Sequence, residues 1–269
     1  LSKVSQKKRV MAPDVKSWKG KRKISMVTCY DSSFARIVDA SSVDMILVGD
    51  SVGNVMLGYE NTLSVTMKDM IHHAAAVCRA ASRAFVAVDM PFGSYQISPQ
   101  QAVENAIKLI QETGAQAVKL EGGEAFAEHI KAIIRAGIPV IGHLGLTPQA
   151  INVLGGYKVQ GKGSDGDLLV ADARALENAG VMALVLELIP ASLAKRVTDA
   201  IGVPTIGIGA GVGCDGQVLV LQDMLGFDQS FQPKFLKKYL NLGELVAKAL
   251  DKFDGEVKDE KFPTNENSF

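Results

Sequence analysis

Three acidic residues recur in one local pattern: Asp50 in ILVGDS, Asp89 in FVAVDMPFGSY and Glu121 in AVKLEGG. Each follows a short apolar run and precedes small or polar residues. One Asp after a strand is commonly a turn or helix-cap residue. Repetition along a chain instead gathers carboxylates at one end of a sheet, and three carboxylates together suit a hard divalent cation such as Mg²⁺. A fourth acid, Glu187 in ALVLELIP, has the same placement and can serve instead as a base. Lys119 precedes Glu121 by two residues, so the two share one face of a strand. If that face is inward, the ammonium either binds a substrate carboxylate or forms a buried pair with Asp or Glu. Ser51, next to Asp50, offers a hydroxyl or a backbone N–H. His143 ends the run IPVIG and precedes LGLTPQ, which puts it at the same mouth in a binding, polarising or structural role.

These residues need elements to position them. Apolar, β-branched runs of about five to seven residues alternate with helix-period stretches of about 12 to 18. Strands are expected near 24–29, 45–48, 85–89, 116–120, 138–142, 182–186, 203–208 and 217–221. Thr66 with Asp69, and Ser98 with Pro99 and Gln101, carry capping-box signals for two helices. Gly114, Gly137, Gly180 and Gly202 mark helix ends, each close to the next apolar run. Short connections of this kind suit a parallel sheet. Eight strands with acids at their ends favour a closed (β/α)₈ TIM barrel over an open doubly wound sheet. The chain reads as one barrel domain over 1–269, with a basic N-terminal arm (about 1–23) and a polar C-terminal tail (about 254–269). Between these, PKFLKKYLNLGELVAKALDKF reads as helical with an interruption at Gly243.

Two phosphate-binding patterns fall short. GYKVQGKGS (156–164) has GxxxxGK, but Gly163 replaces the Ser/Thr, and neither a preceding strand nor an immediately following helix is evident. GVGCDG (211–216) fits GxGxxG but leads into QVLVLQD, which reads as strand, so the dinucleotide context is absent. His72 and His73 are neighbours on a helix, about 100° apart, and cannot chelate one metal together. They and His129 read as ordinary helical residues. The Gly- and Lys-rich connection 150–167 is long enough for an active-site lid, with disorder as the alternative.

The 269 residues are 47% hydrophobic, enough for a large core, and 29 basic residues balance 29 acidic ones. That balance argues against nucleic acid or an anionic membrane as partner. Cys29, Cys78 and Cys214 form no CxxC pair or zinc cluster and read as reduced thiols of a cytoplasmic protein. No membrane span is visible, because the uncharged stretch 136–157 is broken by five glycines and two prolines. The first 23 residues carry nine Lys or Arg and lack the apolar core of a secretory signal. They read as an arm on the barrel or at a subunit contact, with a transit peptide as the alternative, and a start at Leu1 leaves room for a longer natural N-terminus.

The stretches MVTCYDSSFARIVD, ILVGDSVGNVMLGYENTLSVTMKDM, VDMPFGSY, VKLEGG, GHLGLTPQ, GGYKVQGKG, LELIP and GIGAGVGCDGQ occur in this order over roughly residues 24–240. Together they closely resemble the ketopantoate hydroxymethyltransferase family. The resemblance implies a barrel of the phosphoenolpyruvate/pyruvate type, Mg²⁺, and 5,10-methylenetetrahydrofolate as co-substrate for pantothenate biosynthesis. It implies Asp50, Asp89 and Glu121 as metal residues and Glu187 as the catalytic proton acceptor. The expected substrate-binding set is Asp50, Ser51, Asp89, Lys119 and His143. It further implies a homo-oligomer, often a decamer in the family. Cys29 stands where many members have Ala, and DQSFQPKFLKKY matches only loosely.

The expected reaction removes a proton from C3 of 3-methyl-2-oxobutanoate, and the resulting enolate takes up the one-carbon unit to give 2-dehydropantoate. Apolar neighbours would raise the pKa of Glu187 if it is buried. A Mg²⁺-dependent C–C lyase of the same barrel superfamily is the nearest rival, but no KKCGH-type cysteine loop is present. A non-catalytic barrel scaffold is the other, and all four strand-end acids being in place speaks against it.

Overall fold

The computed structural model describes residues 8–163 and 165–269. All eight expected strands form: β1 (Ile24–Thr28), β2 (Met45–Val48), β3 (Phe85–Asp89), β4 (Ala117–Glu121), β5 (Val140–Gly145), β6 (Ala183–Glu187), β7 (Thr205–Ile208) and β8 (Gly216–Leu219). They run parallel and close in sequence order, β1 pairing with both β2 and β8. The helices between them are α2 (Ser32–Ala40), α3 (Val52–Val55), α4 (Met67–Ala80), α5 (Pro99–Thr113), α6 (Ala127–Arg135), α7 (Ile151–Leu154), α8 (Asp165–Ala179) and α9 (Ala191–Ala200). The fold is a (β/α)₈ barrel, as the alternation predicts.

Two strand boundaries differ from expectation in a way that matters. β4 and β5 extend past the apolar runs, so Glu121 and His143 lie inside strands and not beyond them. A polar residue ends an apolar run in sequence, yet the ladder continues wherever the neighbouring strand offers a partner. Here Glu121 and His143 are partners of each other.

Alternate residues point into the barrel. Met26, Met45, Leu47, Phe85, Ala87, Ala117, Ile141, Ala183, Val185, Ile206 and Val218 form one buried cluster there. The foot of the barrel is closed by the segment expected to be an arm. Helix α1 (Ala12–Ser17) buries Val15 in this cluster, and Trp18 packs against it. Ion pairs fasten the same end: Lys19–Asp215 at 2.8 Å and Arg22–Asp44 at 2.7 Å. Residues 1–7 of the expected arm lie outside the described residues.

Thr66 and Asp69 form the expected capping box of α4. At α5 only half of it forms: Ser98 accepts from Gln101 N, while Gln101 Oε1 takes Ile97 N and not the cap residue's own N–H. Gly114 ends α5 in the left-handed region, φ 76°. A helix does follow the 156–164 pattern, contrary to expectation, since α8 starts at Asp165; no strand precedes it, and Ser164 lies outside the described residues.

Residues Val220–Phe269 form a compact unit of their own. It contains α10 (Leu221–Met224) and α11 (Leu242–Lys258). Gly243 lies in the first turn of α11 and does not interrupt a helix, and the segment before it is irregular. The helix also runs beyond residue 254, where a polar tail was expected. Ion pairs Glu244–Lys248, Lys252–Glu256 and Asp254–Lys258, each four residues apart, favour that extension. Among the described residues no helix is long and apolar enough to cross a membrane, and all three cysteines are free thiols.

Candidate active site

Strand register builds the site. Asp89 on β3 lies level with Lys119 on β4, and Glu121 lies level with His143 on β5. In a parallel ladder, level residues point to the same side, so these four side chains meet inside the barrel mouth. Lys119 Nζ is 3.0 Å from Asp89 Oδ1 and 3.2 Å from His143 Nδ1. His143 Nδ1 is 3.4 Å from Glu121 Oε1, and its Nε2 is 3.3 Å from Glu187 Oε2. His143 therefore links two acids from different strands, which places it in the site. Lys119 makes the buried Lys–Asp pair that was one of its two readings. Asp89, Lys119, Glu121 and His143 are each no more than 4% exposed.

Asp50 stands just past β2, and its N–H donates to Asp89 Oδ2 at 3.0 Å. Ser51 is half-buried, its hydroxyl 2.8 Å from Tyr30 Oη. His73, expected to be an ordinary helix residue, places Nδ1 2.7 Å from the Tyr30 carbonyl oxygen. Glu187 keeps 18% of its side chain accessible, so it is not the fully buried acid that its apolar neighbours in sequence suggested. Its backbone is held from several sides. The Glu187 carbonyl accepts Leu146 N at 2.8 Å, Leu188 N donates to Ile208 O, and Leu188 O accepts Gln160 N. Leu188 takes a left-handed conformation, φ 46°, unusual for a branched side chain.

Electrostatically the site has more acid than base: Asp50, Asp89, Glu121 and Glu187 against Lys119 and His143. Burial pushes the Asp50 carboxyl well up, and the charges of Asp89 and Glu121 push it further. Burial also raises Asp89 despite Lys119. Glu121 lies below the usual carboxylate range, because bonds from His143 and the Lys119 charge outweigh its burial. Burial and Lys119 oppose a charge on His143, yet its contacts with Glu121 and Glu187 carry it to about 9. Three buried acids raise Lys119 against its own desolvation, so it stays charged.

This donor set fits a hard divalent cation. Asp50 and Asp89 are adjacent buried oxygen donors whose carboxyls are both raised, so a cation placed between them would favour the ionised forms that burial opposes. Asp89 Oδ1 has no aligned hydrogen bond, only the ion-pair contact with Lys119. Glu121 is engaged by His143 and by the Gln149 N–H at 3.0 Å. Among the described residues no group of three His, Cys, Asp or Glu side chains is arranged as a complete metal site.

Sequence reasoning missed Gln149 and Tyr95, both buried in the site. They stand in GLTPQ and PFGSY, stretches that carry the family resemblance, but an amide and a phenol give no periodic or acid–base signal. Beyond Gln149, part of the connection 150–167 forms α7 and a loop. A cavity of about 320 Å³ opens there, lined by Glu60, Asn61, Ile151, Asn152 and Tyr157 among others. Tyr157 lines this cavity and is exposed; partial burial raises its hydroxyl, and the charges of Glu187, Asp50, Glu121 and Glu60 raise it further.

A family model described as Ketopantoate hydroxymethyltransferase matches residues 9–265. The chain belongs to that family. Curated relatives named 3-methyl-2-oxobutanoate hydroxymethyltransferase include one from Syntrophomonas wolfei, 57% identical over 93% of this chain and 91% of the relative. Another, from Moorella thermoacetica, is 54% identical over 99% of this chain and all of the relative. Membership makes the chain a hydroxymethyltransferase by family and removes the lyase and scaffold alternatives as the leading readings. Among solved structures, 2,3-dimethylmalate lyase, a PEP mutase/isocitrate lyase superfamily member, shares the fold with a TM-score of 0.59 at 15% identity, covering 96% of this chain and 91% of that one. Phosphonopyruvate hydrolase in complex with oxalate and Mg²⁺ does so with a TM-score of 0.62 at 11% identity, covering 96% and 93%. These likenesses show the fold, the same closed barrel that the strand order gives.

Proposed function

We propose that this chain transfers a hydroxymethyl group from 5,10-methylenetetrahydrofolate to 3-methyl-2-oxobutanoate, giving 2-dehydropantoate, with Mg²⁺ held by Asp50 and Asp89 beside Glu121. The observation that carries the reading is the buried run Asp89–Lys119–His143–Glu187, which ends on a partly exposed carboxylate at the mouth. A bound Mg²⁺ would supply Lewis-acid polarisation of the keto acid's carbonyl.

The side chains then divide the work. Lys119, kept charged by three acids, and the Ser51 hydroxyl bind the small anionic keto acid. Glu187 takes the C3 proton, for which a base needs hydrogen-bond reach and an unprotonated oxygen. His143 Nε2 stands 3.3 Å from Glu187 Oε2 in an ion-pair contact without an aligned hydrogen bond, and its positive charge favours the ionised form of that carboxylate. The electron pair freed at C3 forms the bond to the folate-derived methylene carbon, and water supplies the hydroxyl oxygen as tetrahydrofolate leaves. The cavity lined by Glu60, Asn61, Ile151, Asn152 and Tyr157 is the place proposed for the larger donor. Pantothenate biosynthesis in the cytoplasm and assembly into a homo-oligomer belong to the same proposal.

The test is hydrogen exchange. The protein is incubated with 3-methyl-2-oxobutanoate in D₂O, with and without Mg²⁺ and with and without folate, and the C3 proton is followed by NMR. Metal-dependent loss of that signal, then 2-dehydropantoate formation on adding methylenetetrahydrofolate, is expected. No exchange under any of these conditions overturns the proposal.

A further inference from the structure

Gln149 is 7% exposed, and all its hydrogen-bonding groups near the site are used. Its side-chain Nε2 donates to Asp50 Oδ2 at 2.8 Å and to the Met90 carbonyl at 2.9 Å. Its backbone N–H donates to Glu121 Oε2 at 3.0 Å. Its Oε1 accepts from Tyr95 Oη at 2.7 Å and Gln96 Nε2 at 3.1 Å. One residue therefore touches acids from two separate strand ends.

The amide can face only one way. Reversed, its carbonyl would meet a carboxylate and a backbone carbonyl, both acceptors. Tyr95 fixes the same orientation from the other side. Its oxygen accepts Glu121 N at 3.1 Å, and the hydroxyl has a single proton. Gln149 Oε1 at 2.7 Å is closer than the Glu121 carbonyl at 3.3 Å, so that proton goes to Gln149.

The consequence lies in which oxygens are held. Asp50 Oδ2 is held by Gln149 Nε2, Asp89 Oδ2 by Asp50 N and Glu121 Oε2 by Gln149 N. Each buried acid has one oxygen anchored by a neutral N–H. Its other oxygen faces the basic groups or is left to a ligand. Neutral donors orient a carboxylate without neutralising it, as outer-shell partners do around ligating groups.

We infer that Gln149 is a positioning residue, which sets the carboxylate of Asp50 through its side chain and that of Glu121 through its backbone. The inference rests in part on the proposed function, and the test separates the two. Gln149→Met keeps the size and loses the N–H donor. Gln149→Glu keeps the size and sets an oxygen against Asp50. Both variants are crystallised, their thermal unfolding is measured, and their C3 exchange is followed with the keto acid.

A positioning role predicts an Asp50 carboxylate turned from its place in both structures, with Glu121 still held by the residue 149 N–H. It predicts exchange lowered by about 10–100-fold in Gln149→Met, the usual cost of losing such a partner, and further in Gln149→Glu. The loss should fall on kcat more than on KM, with unfolding temperature little changed. A space-filling role predicts Gln149→Met close to wild type and Asp50 unmoved, and that result overturns the inference. Absent exchange in the wild-type protein would sink the proposed function alone, because the position of Asp50 in the variants would still decide this one.

Discussion

Glu121 and His143 are register partners on adjacent strands, and their side chains meet at 3.4 Å inside the barrel. From that pair the site extends both ways. Lys119, one turn of the pleat below Glu121, reaches Asp89; His143 Nε2, on its far side, reaches Glu187. The chemistry therefore depends on a backbone property, the pairing of β4 with β5. A one-residue slip would turn these side chains to the other face of the sheet.

Replacing Glu187 with Gln tests the far end of this run. The amide keeps the shape and can still meet His143, but it cannot take a proton. C3 exchange should fall by about 10²–10⁴-fold, the usual worth of a positioned base, while binding of keto acid and metal persists by calorimetry. Exchange at the wild-type rate would remove Glu187 from the role of base.

Lys119→Met tests the buried pair. It leaves Asp89 buried beside Asp50 and Glu121 with no adjacent ammonium. Breaking a buried pair from one side costs about 3–5 kcal/mol, measurable by denaturant unfolding at neutral pH. Burial already raises the Asp89 carboxyl, and loss of Lys119 raises it more. The deficit should therefore shrink as pH falls and the acids take up protons. Adding Asp89→Asn should recover part of the loss. A single variant as stable as wild type would mean that the pair is dispensable.

Much of this arrangement is legible in the sequence, for reasons that particular residues show. Asp50 stands just past β2 and Asp89 ends β3, two strands buried along their whole length, so a run of apolar residues marks where each carboxylate must sit. Lys119 and Glu121 share a face because strand side chains alternate, and the structure keeps that parity. Gln149 was not legible. It follows a Pro in a short turn, and its value comes from reaching Asp50, 99 residues away in sequence. Contacts of that kind are fixed by how loops fold over a closed barrel, which no local pattern encodes. Helix α11 was misread near Gly243 for a related reason: at a helix start glycine costs little, whereas the sequence pattern suggested a break.

Gly145→Ala probes the backbone that carries Glu187. Gly145 has φ 94°, and a Cβ there would overlap the Glu187 carbonyl oxygen and crowd Ile189. The backbone strain alone costs of order 1–3 kcal/mol. Relief requires the β6 end to move, and Glu187 with it. Exchange should therefore fall more than a small stability loss explains, read as a drop in rate at temperatures where circular dichroism still shows folded protein. Wild-type exchange in a folded Gly145→Ala protein would show that Glu187 tolerates the shift.

Asp39 gives a test of stability at the other end of the barrel. At the end of α2 its carboxylate accepts the N–H groups of Ser82, Arg83 and Ala84 and the Ser82 hydroxyl, tying α2 to the turn before β3. Burial opposes the charge, but these bonds win and hold the carboxyl below its ordinary value. A folded-state pKa below the unfolded one means stability that is fully present above the ordinary carboxylate range and lost as pH falls through the folded value. Asp39→Ala should cost about 1–2 kcal/mol at neutral pH, the lower part of the range for bonds to a charged group because the site is partly exposed. The gap between variant and wild type should close on acidification below about pH 4. Denaturant unfolding at several pH values measures both. A gap that stayed constant across that range would mean that Asp39 acts by packing and not through its charge.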